Sequence, residues 1–179
     1  QAYPRAIQAN AKRQGFKQPI QVVQQGAVGL AASIDGDSDF IDRSVRGNQP
    51  RKKYKGPSLN NPIAKIDLAI LPRYEFDFSE NQMLYDGAKT KPTALQINSV
   101  ENYIAYHLVT LLETLRASDE PKPLRSIILG CTHFPFYQDT FRQRLLQLYN
   151  FQENGKYIYS EIMAKKVELI DPAYFTTRE

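Results

Sequence analysis

The chain has 179 residues, 42% hydrophobic and 23% charged, which suits one domain or two small ones with a buried core. One cysteine excludes an internal disulfide framework and a Cys-rich zinc site, and two histidines argue against a multi-histidine metal centre. The net charge of +4 permits acidic partners without demanding them, and the apolar runs fall far short of the ~18 residues needed to span a bilayer.

The chain opens Gln1-Ala2-Tyr3-Pro4, with no initiator methionine and no signal-peptide pattern. The expectation is a mature product or a piece of something longer. Arg5 to Gln14 is helix-compatible, with Gly15 as a stop. Pro19 to Val23 reads as a short strand, Gln24-Gln25-Gly26 as a turn, and Ala27 to Ala32 as a helix start. From Asp35 to Pro62 the composition changes to aspartates, then Arg43, Arg46, Arg51, Lys52, Lys53 and Lys55, among glycines and prolines. A loop this long inside a compact domain is usually functional or mobile.

Ile66 to Leu71 reads as a second strand stopped by Pro72, and Tyr74 to Tyr85 fits neither period. Asn98 to Arg116 is the clearest helix, with Ile97, Val100, Ile104, Leu108, Leu111, Leu112 and Leu115 at helical spacing. Asn98 with Glu101 resembles a capping box. Ser126 to Gly130 reads as a third strand, buried in character. Pro135 to Tyr149 reads as a helix with Tyr137, Phe141, Leu145 and Leu148 on one face, and Val167 to Ile170 as a last strand. Strands alternating with helices predict βαβ units and a mainly parallel sheet, whose ligands bind beyond the carboxyl ends of the strands. That rule singles out Gln24-Gln25-Gly26, Leu71-Pro72-Arg73, Gly130 to His133, and Asp171-Pro172.

Gly130-Cys131-Thr132-His133 is the sharpest motif. Gly130 permits a tight turn. A cysteine near a helix N-terminus sits where N–H groups and the dipole favour a thiolate. Thr132 offers a hydroxyl and a backbone N–H where carboxylates bind. His133 can trade protons with the thiol. Singly, a lone cysteine is a small buried hydrophobe and a lone histidine is merely hydrogen-bonded. Together at a strand exit they favour chemistry. A Cys–His pair two residues apart rarely brings both side chains face to face, and no third orienting group is evident, so thiol hydrolase chemistry ranks lower. The basic run Arg51 to Lys55 raises nucleic-acid binding, but neighbouring aspartates partly cancel it and a solvated loop explains it better.

The run Ser126 to Phe136 resembles the second active-site signature of the aspartate/glutamate racemase family, glutamate racemases in particular. Gln18 to Ala27 is similar to the strand and turn opening that family's second lobe, and Val167 to Thr176 to its late strand and following helix. The resemblance implies a doubly wound α/β lobe of parallel sheet. Residues 18–150 would form that lobe, with 1–17 and 151–179 belonging to a first one. It implies cofactor-independent racemisation of an acidic amino acid, glutamate before aspartate, of the kind that supplies D-amino acids for peptidoglycan precursors. In that family one cysteine thiolate removes the α-proton and a second cysteine returns one on the opposite face, and this chain would supply one of the two. Cys131 would be one such base, His133 would assist it and Thr132 would hold the substrate. Glu80 would be the counterpart of an acidic residue near that thiol. The resemblance further implies a small-molecule amino-acid substrate, no metal, no nucleic-acid or membrane partner, a homodimer as one open assembly, and a cytoplasmic setting. The family's first cysteine, in a Cys-Asn-Thr type motif, has no match here, and its middle strand would fall in the charged stretch 35–62. A repurposed racemase-like binding domain is therefore the alternative.

Overall fold

The computed structural model describes residues 2–176. It is a mixed α/β fold built around one long helix. In chain order the helices are α1 (Ala2–Arg13), α2 (Leu30–Asp35), α3 (Leu71–Tyr74), α4 (Val100–Arg116), α5 (Gln138–Asn150) and α6 (Ala173–Thr176). The strands are β1 (Met83–Ala88), β2 (Lys91–Ile97), β3 (Leu124–Ile128), β4 (Gln152–Glu153), β5 (Lys156–Tyr157) and β6 (Met163–Ile170). They make three two-stranded sheets: antiparallel β1–β2, parallel β3–β6 and antiparallel β4–β5.

The α4 helix forms where the apolar stripe predicted it, and it is buried on more than one face. Tyr103, Ile104, Leu108, Val109 and Leu112 lie in the core with Met83, Leu95 and Ile97 from the hairpin and Phe141, Leu145 and Leu148 from α5. Its cap differs from the expected one. Ser99, not Asn98, takes the cap position, and its side chain accepts the Asn102 N–H. Asn98 instead ties the 35–62 stretch down. Its Oδ1 accepts from the Asp42 N–H at 2.8 Å, and its Nδ2 donates to the carbonyls of Asp42 and Asn81 at 3.1 and 2.9 Å.

Two expected strands do not form. Ile66 to Leu71 becomes a 3-10 turn, Leu68–Ile70, running into α3. The Asp67 side chain accepts the Ala69 N–H at 2.9 Å, and this local bond outcompetes an extended ladder. Pro72 then suits the first turn of α3. Pro19 to Val23 stays irregular because no strand among the described residues pairs with it; the Gln8 side chain meets the backbone of Ile20 instead. The expected β3 and β6 do form and pair in parallel, Ser126 with Glu168 and Ile128 with Ile170. β3 and β6 thus share one sheet. Ser126 to Gly130 is less buried than its composition suggests, with Ile128 51% exposed. The stretch 35–62 carries no regular element beyond the end of α2, as expected for a loop. It is nonetheless pinned: Tyr54 Oη lies 3.1 Å from Tyr103 Oη, and Lys55 pairs with Asp39 at 2.5 Å.

Candidate active site

Parallel pairing of β3 with β6 carries both chains in the same direction, so their carboxyl ends emerge side by side. The Leu129 N–H still donates to the Ile170 carbonyl at 2.8 Å, extending the ladder one step. Beyond it lie Gly130 to His133 from one strand and Asp171-Pro172 from the other, two of the four positions singled out by topology. Just before α6, Asp171 Oδ1 accepts the Ala173 N–H at 2.9 Å. The other two positions lie elsewhere. Arg73 pairs with Glu113 and Glu153, both at 2.9 Å. Gln25 donates to the His107 carbonyl at 2.8 Å and borders a cavity of about 330 Å³.

After Gly130 the chain makes a turn in which the Phe134 N–H donates to the Cys131 carbonyl at 3.2 Å. A 3-10 turn, Phe134–Tyr137, follows, and α5 begins only at Gln138. The α5 dipole therefore does not act on Cys131, because such effects fade within the first helical turn. Gly130 is not needed for a positive φ, and a methyl group there would meet nothing within 4 Å. Phe134 anchors the turn, packing its ring 6.4 Å from that of Phe141, while Phe136 projects 81% exposed.

The turn brings two side chains face to face. Cys131 Sγ, partly buried, lies 3.3 Å from His133 Nδ1. Spacing alone argued against this; the bend between them makes it. On the far side of the same ring, Nε2 lies 3.1 Å from Oδ1 of Asp35. Asp35 ends α2, where Gly36 in the left-handed region (φ 76°) stops the helix. A thiol, an imidazole and a carboxylate thus stand in line. Sequence reasoning missed Asp35 by assigning it to the charged loop. The signal present was an acid at a helix carboxyl end, where the dipole disfavours it.

Thr132 is exposed, and its hydroxyl has no partner among the described residues. The backbone N–H groups of Cys131, Thr132 and His133 likewise meet no acceptor among the described residues. Glu80 is exposed in the turn before β1, at φ 36°, and no hydrogen bond or ion pair joins it to Cys131 or His133. A cavity of about 680 Å³ opens between the amino end of α4 and α5, bordered by Arg43, Asp77, Glu101 and Arg144; neither it nor the smaller one includes Cys131, Thr132 or His133. Among the described residues no group of three or more His, Cys, Asp or Glu side chains is placed to hold a metal ion. No described helix is long and apolar enough to cross a membrane. The chain matches no protein-family model, no curated protein and no solved structure.

Proposed function

We propose that this chain moves the α-proton of an acidic amino acid, glutamate or aspartate, with Cys131 as the acid/base group and without a cofactor, in the manner of the aspartate/glutamate racemases. The observation that carries the reading is the 3.3 Å approach of Cys131 Sγ to His133 Nδ1 at the carboxyl end of β3. The likeness of Ser126 to Phe136 to that family's signature supports it, and the reading takes β3 and α5 as part of a doubly wound lobe. The step is a proton exchange. His133 takes the thiol proton, the thiolate takes the proton from Cα, and the Cα–H electron pair stays on the amino acid as a carbanion. A second group returns a proton from the opposite face. That group is not a second cysteine among these 179 residues. Thr132 and the open N–H groups beside it are suited to the substrate carboxylate.

The test is incubation of D- and L-glutamate and aspartate with the protein in D2O, following the Cα–H signal by proton NMR. Exchange is expected with at least one of them, and Cys131→Ser should abolish it. Absence of exchange with all four overturns the reading; binding without exchange would favour the repurposed binding domain.

One observation favours a second reading. A carboxylate behind the imidazole completes the arrangement used by thiol nucleophiles in acyl transfer. A Cys131-linked acyl adduct after incubation with an activated ester, seen by intact mass, would support it.

A further inference from the structure

We propose that Asp35 is a positioning residue for His133, holding the imidazole so that Nε2 keeps its proton toward the carboxylate and Nδ1 faces the thiol. This rests on the reading of Cys131 as the working thiol.

The two ring nitrogens face different groups. Nδ1 meets Sγ at 3.3 Å and Nε2 meets Oδ1 of Asp35 at 3.1 Å. In a neutral imidazole one nitrogen carries the proton, and the partner of the other nitrogen decides which. An ionised carboxylate only accepts, so Asp35 assigns the proton to Nε2. Nδ1 is then left with a lone pair aimed at Sγ. When the thiol proton crosses to Nδ1, sulfur keeps the S–H electron pair and the ring becomes imidazolium. Its positive charge then faces Asp35, and nothing is oxidised or reduced.

Two further observations point to Asp35. The first is its cost to the helix that carries it. A carboxylate at the carboxyl end of α2 opposes the helix dipole, and the last turn of α2 holds no basic residue to offset it. A locally unfavourable choice of this kind marks functional positions. The second is the contrast with its neighbours. Asp37 accepts the Asp39 N–H at 2.9 Å, Asp39 pairs with Lys55, and Asp42 accepts from the Ser44 N–H and hydroxyl at 2.9 and 2.6 Å. Those three carboxylates shape their own loop. Asp35 reaches across to another element, and His133 is its one partner among the described residues.

The test needs no substrate. Two-bond proton–nitrogen correlation on 15N-labelled protein reads the tautomer of each ring. The chain has two histidines, and His133→Gln identifies the signals. The single cysteine makes iodoacetamide alkylation a site-specific report on Cys131. We expect the Nε2-protonated ring in the unsubstituted protein. In Asp35→Ala we expect a mixture of tautomers and alkylation slower by about two- to fivefold, the scale of an exposed charge pair. Asp35→Glu should recover part of both, and Asp37→Asn should leave both unchanged. Alanine favours the helix, so loss of folding is not the expected outcome. An Asp35→Ala protein with the original tautomer and alkylation rate overturns the proposal, as does an equal change in Asp37→Asn. A chain that shifts its tautomer yet exchanges no α-proton would sink the proton-transfer reading alone.

Discussion

His107 shows how much one buried side chain can do. It lies in the middle of α4, almost fully buried, and its Nε2 donates to the Val28 carbonyl at 3.0 Å. Burial pushes its pKa down from 6.5 to about 4, only partly opposed by that bond. The unfolded chain therefore binds more protons than the folded one between these values, and stability falls as pH drops through that window. The contribution is fully present above about pH 6.5 and is lost toward pH 4, with a size on the order of 3 kcal/mol. Asp39, Asp42 and Asp77, whose carboxyls their hydrogen bonds hold below the ordinary range, respond at more acidic pH. Urea midpoints at pH 7.5, 5.5 and 4.5 should decline steeply in the unsubstituted chain and more gently in His107→Gln. Equal slopes would show that His107 does not titrate as buried. At this scale Cys131 and His133 were legible as a motif, since both lie on one short turn. Asp35 was not, because its meeting with His133 depends on how α2 packs, and no local spacing encodes a contact between residues so far apart in sequence.

Elements are set by competition between local bonds and packing, and the amino end of α4 separates the two. Ser99 supplies a local cap, and losing such a side chain costs about 1 kcal/mol. Asn98 is buried and bonded through both its oxygen and its nitrogen to two other segments. Asn98→Ala leaves the Asp42 N–H and the Asn81 carbonyl without the partners seen here and the Asp42 carbonyl with the Val45 N–H alone, so about 2–4 kcal/mol is expected. Chemical denaturation should rank Asn98→Ala as the more damaging of the two; the reverse order would return the cap to Asn98. The sequence made α4 legible because its apolar period survives burial on several faces. It made Ile66 to Leu71 look like a strand because apolar content outweighed the single Asp67 that bends it. The β4–β5 hairpin was signalled by Asn154-Gly155, both at positive φ (53° and 75°), a pair that suits a tight turn. The β1–β2 hairpin was hidden by Gly87, whose left-handed φ of 82° accompanies a bulge that breaks the alternation.

Across the whole molecule, burial is uneven. The core gathers around α4, while the site stands on the β3–β6 pair. Parallel strands are usually covered on both faces. Here, among the described residues, β3 pairs only with β6, Ile128 is half exposed, and β3 shows no fully buried residue. The sheet is held to the rest chiefly through Met163, Val167 and Leu129 against the core. This part should therefore open more readily than the centre, since opening there uncovers little apolar surface. Amides of Ser126 to Ile128 and Glu168 to Ile170 are expected to exchange at least about tenfold faster than those of Ile104 to Leu112. Substitution should follow the same division. Ile104→Ala opens a cavity in the core and should cost about 2–5 kcal/mol, whereas Ile128→Lys on the open face should stay within about 0.5 kcal/mol. Both are read from denaturation midpoints. A severe loss in Ile128→Lys, together with slow exchange along β3, would mean that this face is covered in solution. The strand-end turn holding Cys131 would then sit at an interface rather than on an open surface.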